Sequence, residues 1–179
     1  RLMDPEIKLF YQGWGWGVNP TSHSPGFWSR GNGWILTAMT LALENLPADH
    51  PKRPALSQVY NRFLMSLIDY QDTSGLWHQL IDRQDTFEET SGSALFLYCT
   101  ARAVRGGWID RKYADVVKWG TDGLKFVVDP DGIIWGTCVG TGTPNTIEDY
   151  YARPAPVNDY HGIGPVMLAL IEAARLGIE

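Results

Sequence analysis

Cysteine is scarce in this chain of 179 residues, with Cys99 and Cys138 the only two. They form neither the paired spacing of a metal site nor a disulfide framework. Cys99 sits inside an apolar periodic stretch and reads as a small buried hydrophobe. No run of about 18 apolar residues occurs, so no membrane-spanning helix is expected. The N-terminus lacks the apolar core of a signal peptide, which favours the cytoplasm over secretion. The opening residue is Arg1 rather than Met, as in a processed or partial chain. Basic runs are missing too. Lys and Arg are scattered and the formal net charge is −5, so neither nucleic acid nor an anionic membrane is expected as a partner. HExxH, GxSxG and P-loop motifs are absent, so metal proteolysis, serine hydrolysis and nucleotide chemistry have no local support, and no cofactor or metal is expected.

Aromatic rings, in contrast, are plentiful: eight Trp, eight Tyr and six Phe. Rings beyond what a core requires often line carbohydrate or aromatic-ligand grooves. A hydrophobic content of 44% suits one soluble domain over residues 1–179. Apolar spacing near 3.6 residues predicts five helices: one from about Gly33 to before Pro47, one from Pro54 to about Gln71, and one from Thr90 to Gly106 and Gly107. The fourth opens on Asp110 as N-cap and is weakened by Gly120 and Gly123, and the fifth runs from about Gly162 to Gly177. Helix entrances near Gly33, Gly92 and Gly164 are 59 and 72 residues apart, and the turn glycines Gly75 and Gly132 are 57 apart. These intervals predict an all-α array of repeated helical hairpins. Elaborate loops follow every second helix and so collect at one end, which is where a site is expected.

Four stretches offer candidate site residues. In "PGFWSRGNGW", Ser29 and Asn32 suit caps for a helix starting near Gly33, with Trp28 stapling its entrance and Trp34 opening its core. Arg30 fits that reading poorly, because a cation at a helix N-terminus faces an unfavourable dipole and needs an anionic or oxygen-rich partner. "YQGWGWG" adds Gln12 and Trp14, a composition suited to saccharide hydroxyls and C–H faces, or to an aromatic loop packed over a core edge. "SGLWHQLID" holds His78 on a short alternating segment, and "VNDYHGIGP" places Asp159 and His161 before the last helix. His78 also suits a hydrogen-bonded structural role and Asp159 a turn brace, while Asp85, Glu88 and Glu89 complement the dipole of the third helix.

"FWSRGNGW", "HPKR" at His50 to Arg53, "QDTSGLWHQLID", "EETSGSALFLY" and "NDYHGIGPVMLAL" occur in order from about Tyr11 to Leu176. Together they resemble the second half of glycoside hydrolase family 105, the unsaturated rhamnogalacturonyl hydrolases, which are related to family 88. The resemblance implies a six-hairpin (α/α) toroid with a cleft at one mouth and an oligosaccharide substrate bearing a C4=C5 double bond. It implies that an aspartic acid protonates C4 and activates water that adds at C5, a route unlike two-carboxylate substitution at the anomeric carbon. The family's W-x-R-x-x-x-W contacts fall on Trp28, Arg30 and Trp34, and Gln12 stands where the family commonly has histidine. Trp14, His78 and His161 complete the expected substrate-binding set. The family's catalytic Asp lies upstream of anything in this sequence, and Asp69, Asp72 and Asp82 belong to other segments. A chain that is half of a ring is expected to self-associate or to require its missing N-terminal half. A non-catalytic uronide-binding module and a hairpin interaction scaffold are the competing readings.

Overall fold

The computed structural model describes residues 1–15 and 21–178. Helices carry the architecture: α1 Ser29–Asn45, α2 Arg53–Asp69, α3 Thr90–Arg105, α4 Ala114–Val127, α5 Ile147–Tyr151 and α6 Tyr160–Arg175. β-structure among the described residues consists of isolated bridges, including Trp28 with Leu80 and His78 with Glu88.

The central element is α3, in which every residue from Thr90 to Ala101 is buried. A helix apolar on all sides must be surrounded. Here α1 and α6 flank it, α4 packs on both α3 and α6, and α2 packs on α1. The result is a row of three helices with a second layer of two. Gly33 lets α1 approach α3, since a Cβ there would lie 2.7 Å from a Leu95 methyl. Buried Tyr60, Phe63, Leu64 and Leu67 form the core stripe of α2 at helical spacing. Burial of each such side chain contributes about 1.5–3 kcal/mol.

Contacts at the two ends establish that the three helices of the row run parallel. At their C-termini, Arg102 of α3 pairs with Glu44 of α1 and, at 3.1 Å, with Glu172 of α6. Arg105 and Arg175 close on the same Glu172 carboxylate at 3.1 and 2.5 Å. At the other end the entrances of α1, α3 and α6 meet, and the long connectors gather there, as the repeat pattern predicts.

Several boundaries differ from the sequence reading. Helix α1 begins at Ser29, four residues before Gly33, with Trp28 as an extended N-cap that makes no side-chain cap bond. Asn32 therefore caps nothing. Its side chain clamps the N-terminal segment instead, accepting from the Phe10 N–H at 2.8 Å and donating to Phe10 O at 2.9 Å. The N-cap of α3 is Glu89 rather than Thr90 or Ser91. The left-handed turn after α3 falls on Gly107 (φ +68°) while Gly106 stays right-handed (φ −77°). Asp110 caps a 3-10 turn, Arg111–Tyr113, that leads into α4. Helix α5, held by a reciprocal Thr146–Asp149 capping box, was not predicted.

Candidate functional site

Residues 137–143 run as a strap across the entrances of α1, α3 and α6, and a buried charge pair fixes its course. Glu89 accepts from the Gly92 N–H at 2.6 Å and the Ser91 N–H at 3.3 Å, so it caps its own helix. The same carboxylate accepts from the Ser91 hydroxyl at 2.7 Å and the Cys138 N–H at 3.0 Å. Arg30 lies 3.5 Å from it and donates to Ser91 Oγ at 3.0 Å, Cys138 O at 2.6 Å and Val139 O at 2.7 Å. Both charged side chains are essentially inaccessible, at 1% and 0% exposure. Charge-assisted bonds of this kind are about twice as strong as neutral ones. Burial also raises the pKa of the Cys138 thiol, so this cysteine is held as a neutral packing group.

This arrangement differs from the sequence expectation for Arg30. The motif suggested a guanidinium presented to a ligand. The structure binds it to three protein acceptors, because the α3 cap and the two strap carbonyls offer an anion and oxygens at the point where its helix starts. Trp28 is likewise enclosed, 7% exposed, packed with Leu80, Tyr150 and Ile147 and lying 4.7 Å beneath the Arg30 guanidinium. Its buried indole N–H has no partner among the described residues.

Other expected residues reach the same region with accessible faces. Trp34, the sixth residue of α1, is 49% exposed. Trp14 is exposed, with the Arg1 guanidinium 4.7 Å from its ring and the His23 ring edge-on at 4.8 Å. Trp16 and Gly17 of the same stretch lie outside the described residues. Gln12 is tied to the strap, donating to Thr141 O at 3.0 Å while accepting from the Tyr150 hydroxyl at 2.8 Å. His161, at the start of α6, pairs its Nδ1 with Asp159 at 2.6 Å. Its Cε1–Nε2 edge lies beside Gly140 of the strap, where a Cβ would come within 3.3 Å. Asp159 also caps α6 by accepting from the His161 N–H, the bracing role expected of it. A cavity of about 610 Å³ lies elsewhere, between Ile7 and Met65 of α2, and none of the expected site residues lines it.

His78 does not join this group. Neighbouring residues of an extended segment point to opposite sides. Gln79 therefore turns to the strap side, donating to Tyr150 O at 2.9 Å, while His78 faces Asp72 at 3.2 Å and the Thr86 carbonyl at 2.5 Å. Asp72, His78 and Glu88 thereby converge, with one potential ligand atom from each lying within 4.8 Å of the others. Burial pushes the Asp72 carboxyl up, yet hydrogen bonds from Thr73, His78 and Ser74 outweigh it and hold the group below the ordinary carboxylate range. The sequence shows no metal-ligand spacing here, because these residues are brought together by the bridge pairing of His78 with Glu88.

Sequence reasoning missed the double role of Glu89 and the whole strap. The glycine-rich "TCVGTG" was the available signal, but its contacts with Arg30 span more than a hundred residues.

Known proteins match this chain along nearly its whole length. The family model of Glycosyl Hydrolase Family 88 matches residues 1–177. The unsaturated 3S-rhamnoglycuronyl hydrolase of Formosa agariphila is 28% identical over 98% of this chain and 46% of its own length. The 24.9 kDa protein in the picA locus of Rhizobium radiobacter is 31% identical over 89% of the chain and 77% of its own length. The unsaturated rhamnogalacturonyl hydrolase YesR of Bacillus subtilis is 29% identical over 86% and 42%. A crystal structure of a possible family 105 member from Salmonella enterica superposes with a TM-score of 0.89 at 33% identity, covering 97% of this chain and 46% of that one. The chain thus spans about half the length of most of these relatives. Its helical hairpins are those of an (α/α) toroid, and the chain belongs to glycosyl hydrolase family 88, sharing its fold with members of family 105.

Proposed function

We propose that this chain supplies the substrate-binding wall of a hydrolase acting on unsaturated uronyl ends of rhamnogalacturonan-type oligosaccharides. The observation that carries the reading is the strap held over three helix entrances, with His161 beside it and the exposed indole of Trp34 on the second turn of α1. The parallel dipoles of three helices point their positive ends toward the strap, which suits the carboxylate of a uronate. The exposed indole of Trp34 offers a flat apolar surface to the C–H face of a sugar ring. His161, with Nδ1 engaged by Asp159, turns its Nε2 edge toward the same opening as a hydrogen-bonding group. Arg30 and Trp28 act from behind as positioning residues, the guanidinium fixing the strap carbonyls and the indole supporting the guanidinium.

The chemistry is hydration of a vinyl ether. A carboxylic acid protonates C4, water adds at C5, and the resulting hemiketal opens to release the next sugar. No residue of this chain matches the acid, so in this reading another polypeptide segment provides it. Similarity to the unsaturated 3S-rhamnoglycuronyl hydrolase of Formosa and the unsaturated rhamnogalacturonyl hydrolase of Bacillus supports the substrate class.

Titration with an unsaturated uronyl disaccharide tests the wall. Replacing Trp34 with Ala is expected to weaken binding about tenfold, equivalent to about 1.4 kcal/mol. Wild-type affinity in that variant would remove the basis of the reading. Loss of the ultraviolet absorbance of the unsaturated uronate, expected only when the chain is joined to upstream sequence, tests the hydration step.

A further inference from the structure

We propose that Asp72, His78 and Glu88 form a binding site for a divalent transition-metal ion of the zinc class, which clamps the connector between α2 and α3 to the entrance of α3. The site is separate from the strap and does not depend on the sugar reading.

The imidazole is already arranged as a ligand. Nδ1 lies 2.5 Å from the Thr86 carbonyl oxygen, which can only accept, so the ring hydrogen resides on Nδ1. Metal-bound histidines are oriented in this way, donating the other ring N–H to a carbonyl or carboxylate. Nε2 is then left facing Asp72 Oδ2 at 3.2 Å. Two metal ligands at about 2.0–2.2 Å in tetrahedral geometry are separated by about 3.4 Å, so this pair already has the spacing of one edge of a zinc site. The second Asp72 oxygen is occupied by the Thr73 hydroxyl at 2.9 Å, which fixes the direction of the first.

Glu88 decides between a proton and a metal. A second ring proton on His78 would satisfy only Asp72. The Glu88 carboxylate, within 4.8 Å of both partners, has no hydrogen bond or ion pair among the described residues. Without metal a proton on Nε2 bridges to Asp72; a divalent cation displaces that proton to solvent, and the neutral imidazole with two carboxylates then carries a charge of −2 that the cation neutralises. Closing the site requires Glu88 to move by about 1 Å or a little more, within reach of a partly exposed side chain, to attain zinc-like distances. An imidazole with two carboxylates gives three protein ligands and leaves a fourth position open to water. Glu88 also lines a cavity of about 370 Å³ with Thr73, Ser74, Trp119 and Phe126, so the cluster is approached from its Glu88 side.

Calorimetric titration of the chelator-treated chain with zinc chloride, and in parallel with calcium chloride, tests the proposal. One zinc per chain is expected, bound in preference to calcium because of the imidazole. Asp72→Asn and Glu88→Gln are each expected to weaken zinc binding by about tenfold or more, the scale on which even supporting groups of metal sites act. Glu88→Gln removes no bond of the protein fold, so its stability without metal is expected to match the wild type. In 15N-labelled protein, zinc is expected to shift the Nε2 resonance of His78 while Nδ1 keeps its proton. Absence of saturable zinc uptake, uptake insensitive to both substitutions, or preference for calcium would each overturn the proposal.

Discussion

Arg30 and Glu89 illustrate how much one buried pair can do. Each satisfies several partners, and neither charge can reach water. Removing one member of such a pair leaves the other as an uncompensated charge, at a cost of about 3–5 kcal/mol. Glu89→Gln is therefore expected to lower unfolding free energy by that amount in denaturant titration. Arg30→Met combined with Glu89→Gln is expected to recover part of it, because no isolated charge then remains. Near the N-terminus, Asp4 supplies a pH-dependent contribution. Its bond from the Ile7 N–H lowers its pKa most, burial opposes this, and the Glu6 N–H, the Tyr11 hydroxyl and Lys8 add to the lowering. A depressed carboxyl stabilises the fold at neutral pH and loses that contribution as acid protonates it. The stability difference between wild type and Asp4→Asn is thus expected to be constant near neutrality, to begin falling as the pH drops through the ordinary carboxylate range at about 4, and to disappear only below the lowered pKa of the folded state, in denaturant titrations at stepped pH.

At the scale of the element, α4 shows why helix propensity alone misleads. Gly120 and Gly123 read from the sequence as weak points costing about 1 kcal/mol each. In the structure they are points of close approach: a Cβ on Gly120 would lie 2.2 Å from Leu97 Cδ2, and one on Gly123 would lie 2.5 Å from the Ser74 carbonyl oxygen. Backbone cannot yield as a side-chain tip can. Gly123→Ala is expected to destabilise by about 1–3 kcal/mol despite its better helix propensity, measured by thermal or denaturant unfolding. The main helices were legible because apolar periodicity is a local property. Their first residues were less so. Trp28 marks its helix start by backbone course alone, and Glu89 is a longer side chain than the usual cap although its bonds to Ser91 and Gly92 are local, whereas short polar caps such as Asp110 and Asp159 can be read directly.

At the scale of the whole molecule, the edge helix α6 is left with an uncovered apolar surface, exposing Ile163, Met167, Leu168, Leu170 and Ile171. An apolar face of this extent favours association. The chain alone is expected to self-associate in sedimentation velocity runs at micromolar concentration, and Met167→Glu with Ile171→Glu is expected to shift it toward monomer. A monomeric wild type would show that this face tolerates water. Hairpin repetition and the single loop-bearing end were both readable in the sequence, from Gly33, Gly92 and Gly164. Of the candidate site residues, Trp34 on the second turn of α1 and His161 at the start of α6 keep accessible surface, whereas His78 faces Asp72 and Arg30 is turned inward.

By itself the sequence determined the five long helices and the end at which their long connectors gather, because period, caps and turns act over a few residues. Only the tertiary structure decided which polar groups face a ligand and which face each other. Arg30 meets Cys138 and Val139, and His78 meets Asp72 and Glu88, through contacts set by how whole helices and connectors pack. The partner of a charge is the nearest compensating group in space, and no local pattern specifies it.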